Sequence, residues 1–338
     1  MSSIIGYFVV LIFTVIGILL YQKIAFRKQI IASVNHRSLH NVSTNSGAGI
    51  VLSVSFFLCL LFLFNLKFIT FTYLLTIGLG GLLASFVGIF DDKFDISSRK
   101  KFLLQALLVV LPFVYQLFPM IRALNSTSLL AISIMYFVFY ISIINLINFI
   151  DGIDGMLSSA VIFVSFCFVI LIMKDNNPEN LHLEITFMLL AILFLSFLIF
   201  NWPPAKIFMG DAGSIFVGFV FASLFVSSVE IYGLSVIWKW IIVSSYYMGD
   251  TITTNLIRIL TIKKWYVAHR SHAYQNLARL LGSHKKVTTG ILVYKLLIVF
   301  PMFLLILDQP KYEVIIAILL LFPPVILAIK FGPLYSSK

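Results

Sequence analysis

Charge is what this sequence has least of: 11% of its 338 residues are Asp, Glu, Lys or Arg, against about 25% in soluble proteins. With 61% hydrophobic residues and no polar stretch longer than a few dozen residues, a hidden soluble domain is excluded. One transmembrane catalytic domain over 1–338, with short loops, is expected instead. Cysteine is nearly missing. Cys59 and Cys167 both fall inside apolar segments, so no disulfide framework or thiolate metal site is expected and both act as small hydrophobes. Nothing basic precedes the first apolar segment, 4–22, and no small-residue cleavage pattern follows it, so it reads as a retained span and not a signal peptide. There is no internal repeat.

What is there is apolar runs. They predict helices near 4–22, 48–66, 70–90, 102–120, 128–147, 155–173, 184–201, 214–231, 236–257, 288–307 and 312–330, an all-α polytopic protein of about eleven spans. An odd number puts the termini on opposite sides of the bilayer. Most basic residues fall in one set of loops, among them Lys28, Arg37, Arg99 to Lys101, Lys206, Lys263, Lys264 and Lys285. The other set holds only Lys67, Arg122, Lys174, Lys239 and Lys311, so the N-terminus is expected outside and the C-terminus in the cytoplasm. The same bias accounts for the net charge of +11, and no nucleic-acid partner is expected.

Glutamate is absent from the basic side. Glu179, Glu184, Glu230 and Glu313 all fall on the other, whereas Asp91, Asp92, Asp95, Asp151, Asp154, Asp211 and Asp250 stand among the lysines and arginines. Short carboxylates gathered there suggest a divalent cation and a polyphosphate held together.

Four stretches carry that chemistry. In Asn145-Leu-Ile-Asn-Phe-Ile-Asp-Gly-Ile-Asp-Gly155, the spacing of Asn145, Asn148 and Asp151 puts them on one side of a helix. Gly152 and Gly155 then let the chain turn and a ligand approach, although a capped helix end would read the same way. Asp91 and Asp92, followed by Arg99, Lys100, Lys101 and Gln105, form either a solvated acidic helix end or a pair needing a cation between them. The three cations open a helix, where the dipole disfavours them, so they are expected to face phosphate. Gly210-Asp211-Ala-Gly-Ser214 suits an N-cap or a metal carboxylate flanked by glycines that admit a diphosphate. His269-Arg-Ser-His272-Ala-Tyr-Gln275 has a zinc-like spacing without a third ligand, and its arginine suits a diphosphate oxyanion.

Lesser features complete the reading. Asn35 to His40, with Gly47 and Gly49 after it, suits anionic lipid head groups or a close backbone approach to an anion. Leu277 to Leu281 suits a short amphipathic surface helix. Asp250, late in a span, needs a partner such as Arg258 or a lysine.

Asp91-Asp92, then Asn145-x-x-Asn148-x-x-Asp151-Gly-x-Asp154-Gly, then Pro204-Ala-Lys-Ile-Phe-Met-Gly-Asp211-Ala-Gly-Ser214, in that order, resemble the polyprenyl-phosphate N-acetylhexosamine-1-phosphate transferases. The resemblance implies transfer of a sugar 1-phosphate from a UDP-N-acetylhexosamine to undecaprenyl phosphate, with release of UMP and a magnesium (or manganese) ion. It implies an inner-membrane, multi-pass enzyme working at the cytoplasmic face, compatible with a homodimer. On the same ground Asp211 and Asn148 would hold the metal. Asp91 and Asp92 would stand near the lipid phosphate, with Asp151 as a third catalytic acid. Asn145, Asp154, Lys101, His269, Arg270 and His272 would contact substrate. The last loop is similar to that of the subgroup initiating O-antigen or capsule-like glycans. Ser43, Asn45 and Ser46 depart from the Pro, Pro and Arg of many members. The rivals are a secondary transporter, a transferase of the same family making peptidoglycan precursors or teichoic linkage units, and a CDP-alcohol phosphotransferase. The last has an Asp-Gly-x-x-Ala-Arg order that fails here at Gly155 and Met156.

Overall fold

Backbone in a bilayer core must satisfy its own hydrogen bonds, and the apolar runs of this chain do so as helices. The computed structural model describes residues 2–27, 44–123, 125–262 and 269–335, with side chains from residue 5 onward. Asn35 to His40, Ser43, Lys28, Arg37, Lys263 and Lys264 lie outside the described residues. In chain order the helices are α1 (Ser2–Arg27), α2 (Gly49–Asn65), α3 (Phe71–Phe94), α4 (Ser98–Ile121), α5 (Ser126–Ile150) and α6 (Met156–Asp175). There follow α7 (Pro178–Asn201), α8 (Asp211–Tyr232), α9 (Val236–Thr261), α10 (Ala273–Leu280), α11 (His284–Asp308) and α12 (Pro310–Phe331).

Among the described residues, nine of these helices are long and apolar enough to cross a membrane. The other two expected segments are also helical. One is α2, apolar but only 17 residues long, short of the ~20 that match a hydrocarbon core. The other is α9, whose 26 residues include Lys239, Asp250 and Arg258.

α8 is the buried centre, enclosed from Ala212 to Leu224 by α2, α3, α5 and α9. Its small residues allow this: a Cβ at Gly218 would lie 2.8 Å from the Ile144 Cα of α5. Large apolar side chains face outward, including Phe8 and Ile12 on α1, Leu103 and Leu107 on α4, and Leu319 and Phe322 on α12. Such a surface suits lipid and not water.

The bundle has two chemically different ends. At one, Lys174 pairs with Asp308, and Lys239 with Glu313 at 2.9 Å. At the other, α3, α5 and α9 finish and α4, α8 and α10 begin. The aspartates singled out in the sequence gather there.

Candidate active site

The short turn between α3 and α4 sets Asp91 beside Lys101, and the start of α8 arrives between them. Lys101 Nζ bonds Asp211 Oδ2 at 2.5 Å and also pairs with Asp91. Arg99 and Lys100 are exposed, so of the three cations Lys101 is the one turned into the acidic cluster. Two carboxylates offset the unfavourable place of its charge at a helix start.

Asp92 does something the sequence did not reveal. Its Oδ1 accepts the backbone N–H of Asp211 at 3.0 Å and its Oδ2 that of Ala212 at 3.3 Å. It thus caps α8 from a different helix, where a residue next in sequence usually serves. Asp211 is therefore the first residue of α8 and not its cap, which leaves its carboxylate for Lys101. Glycines make the approach possible. A Cβ at Gly88 would fall 2.2 Å from the Asp211 carbonyl oxygen, and Gly210 has φ +70 and lies against Asp92.

The end of α5 completes the cluster. Asn145 donates to Gln105 Oε1 at 2.9 Å and to the Ile141 carbonyl at 2.7 Å, so its amide ties α5 to α4. One turn on, the side chain of Asn148 reaches the carboxylate of Asp211. Asp151 caps the helix. Burial raises its carboxyl well above the usual range, and Asp211, Asp92 and Asp154 push it further in the same direction. Carboxylates distant in sequence thus act on one another across one small volume. Asp154 faces away from that volume: its carboxylate accepts the Ala205 N–H at 3.0 Å and lies 3.3 Å from His284 Nδ1, while its carbonyl accepts from Thr288 at 2.8 Å.

The last loop lies directly on this end of α5. Tyr274 donates its hydroxyl proton to the Phe149 carbonyl, and a Cβ at Gly152 would meet that hydroxyl at 2.2 Å. The His269 and His272 rings are 5.0 Å apart, and 5.8 and 5.6 Å from the Phe149 ring. Burial, then His272 and Arg258, push His269 down to about 3, so at neutral pH it offers hydrogen bonding and no charge. Arg270 is exposed. His272 is buried, with Nδ1 3.6 Å from Asp250 Oδ2, and Asp250 also accepts the Ala273 N–H at 3.0 Å. The partner sought for Asp250 among Arg258 and the lysines thus includes a histidine of this loop.

Two further expectations resolve here. α10 is amphipathic, with Tyr274 to Asn276 and Ala278 buried and Arg279 and Leu280 exposed. The amides of Ala48 and Gly49 bond the Phe208 and Met209 carbonyls at 3.1 and 3.0 Å, so backbone takes what an anion was expected to use. Among the described residues no group of three or more His, Cys, Asp or Glu side chains is placed to hold a metal ion by itself.

Residues 74–229 match the model of Glycosyl transferase family 4. The chain is 27% identical over 233 residues to a protein of Bacillus subtilis named "Probable undecaprenyl-phosphate N-acetylglucosaminyl 1-phosphate transferase", covering 63% of this chain and 61% of that protein. Over 94 residues it is 30% identical to the "Phospho-N-acetylmuramoyl-pentapeptide-transferase" of Prochlorococcus marinus, 28% of this chain and 23% of that one. The match therefore spans about three fifths of the first relative and under a quarter of the second. Asp91, Asp92, Lys101, Asn145 to Asp154 and Asp211 all fall within the family segment, and the loop from His269 lies outside it.

Proposed function

We propose, from the match of residues 74–229 to glycosyl transferase family 4, that the chain moves an N-acetylhexosamine 1-phosphate from a UDP-sugar to undecaprenyl phosphate. The observation that carries the reading is the cluster of Asp91, Lys101 and Asp211, with Asn148 and Asp151 beside it, at one end of an apolar bundle. In the reaction a lipid-phosphate oxygen attacks the phosphorus that bears the sugar. The bond from that phosphorus to the bridging oxygen breaks, and UMP leaves with the electron pair. Both partners are anions, so their repulsion is the barrier.

The residues divide that task. Lys101 and the exposed Arg270 bring positive charge to the phosphates, and neutral His269 brings a hydrogen bond. Asp91 orients the incoming lipid phosphate or takes its proton, with Asp151 on the nucleotide side. Asp92 holds the start of α8, and with it Asp211, in place. Asn145, Asp154 and His272 support the site from behind their present partners.

A divalent ion fits this donor set. The carboxylates of Asp91 and Asp211 already hold a cation, the Lys101 ammonium, and Asn148, whose side chain reaches Asp211, adds a neutral amide oxygen to the donors available there. Magnesium commonly takes one or two carboxylates and completes its shell with water and phosphate, so no closed cage is required. Asp211 with Asn148 would hold it, and the ion would neutralise and polarise the diphosphate.

The basic residues cluster at the site end, with Arg99, Lys100, Lys206 and Lys285 exposed there, which supports a cytoplasmic active site in the inner membrane. A site at helix ends, away from the midplane, does not favour transport. The name of the Bacillus subtilis relative favours UDP-N-acetylglucosamine or a related amino sugar as donor, and the likeness of the loop from His269 to that of the O-antigen or capsule-initiating subgroup favours initiation of such a glycan. Purified protein is expected to release UMP from one member of a UDP-sugar panel only when undecaprenyl phosphate and magnesium are both present. Release without the lipid, or from none of the panel, refutes the reading.

A further inference from the structure

Asp250 lies outside the family segment and is 2% exposed. A carboxylate in so dry a place is costly unless it is held by donors. Apart from one hydroxyl of its own helix, the groups that face it come from the start of α10. Oδ1 accepts the backbone N–H of Ala273 at 3.0 Å and the hydroxyl of Thr254, on its own helix, at 3.4 Å, while Oδ2 faces His272 Nδ1 at 3.6 Å. Asp250 therefore grips the first residues of α10, and its negative charge suits that helix start.

The grip reaches the site through a short chain of contacts. The backbone N–H of His272 donates to Gln275 Oε1 at 3.2 Å, which closes the start of α10 on itself. The His272 ring lies beside His269 and Phe149, and Tyr274 is bonded to the Phe149 carbonyl. Phe149 sits between Asn148 and Asp151. We infer that Asp250 is a positioning residue for the diphosphate donor: it fixes the height of the loop carrying His269 and Arg270 over the end of α5, without touching substrate. The inference rests on the proposed function for the identity of the donor, but the placement of the loop can be measured without it.

Two variants separate the grip from mere packing. Asp250→Asn keeps the volume and removes the charge. Ala273→Pro removes the N–H that Asp250 accepts; the position is the first of α10, where proline is tolerated. His272 before it already has φ −66 and ψ 150, which a following proline requires. Hydrogen exchange of the full-length protein in nanodiscs is expected to speed up in peptides covering 269–276 in both variants and to stay unchanged over 211–224. With wild-type turnover established, the KM for the UDP-sugar should rise about tenfold, a loss near 1.4 kcal/mol, while the KM for undecaprenyl phosphate stays within about twofold. Asp250→Glu should restore part of the loss. Unchanged exchange over 269–276, or equal rises in both KM values, overturns the inference. If wild-type protein shows no turnover the proposed function falls, and the exchange experiment still decides whether Asp250 holds the loop.

Discussion

Lys101 joins Asp91 and Asp211, and its replacement by methionine keeps the stem while removing the charge. Turnover of Lys101→Met should fall by about 10²–10³-fold, the usual cost of losing one charge-stabilising group, and a fall under threefold in initial rate would contradict the assignment. Asp151 has the opposite signature. Its carboxyl is raised in the folded state, so ionisation costs stability: the penalty is absent below the unfolded value near ~3.9 and grows as pH rises toward the folded one. Asp151→Asn should therefore be less active yet melt higher than wild type at pH 8, with the margin shrinking by pH 4.5. A pH-independent margin in thermal melts would argue against a half-buried, charge-crowded Asp151. Lys101, Asp151 and Asp211 were legible in the sequence because ionisable residues in apolar surroundings need a reason. The orientations of Asn145 and Asp154 were not, since their partners Gln105, Ala205 and His284 are brought to them by helix packing alone.

Helix α8 depends on an acceptor it does not contain. Asp92→Ala leaves the first two N–H groups of α8 without their carboxylate, and a loss of about 0.5–2 kcal/mol is expected, as for other lost N-caps. Gly88→Ala should be worse, because its Cβ would meet the backbone of Asp211 and not a movable side chain. Displacing that backbone costs about 1–3 kcal/mol and shifts Asp211, so activity should fall even in molecules that remain folded. Equal melting temperature and turnover for Gly88→Ala would refute the close contact of α3 and α8. At this scale the sequence showed where helices lie, because apolar runs and their polar interruptions are local. It did not show that Gly88 and Gly210 serve contacts with Asp211 and Asp92, since glycine spacing alone does not name a neighbour.

The whole molecule presents two unlike ends, and the basic one carries the aspartate cluster. If that end faces the cytoplasm, a membrane-impermeant thiol reagent on intact cells should label Lys311→Cys and spare Lys100→Cys, both positions being exposed. The reverse pattern would invert the topology. The sorting of loops by charge had a counterpart in the fold, where Lys174 meets Asp308 and Lys239 meets Glu313 at the far end. Less visible was the fate of α2 and α9, one short and one interrupted by charge, because packing around α8 shelters what the bilayer alone would not. The most direct test follows the phosphorus. With UDP-N-acetylglucosamine labelled in its β-phosphate, undecaprenyl phosphate and magnesium, label should enter the lipid while unlabelled UMP is released, and Asp211→Ala should transfer none. Label that remains in the aqueous phase with the wild-type enzyme, across the panel of donors, or that enters the lipid equally well with Asp211→Ala, would contradict the account.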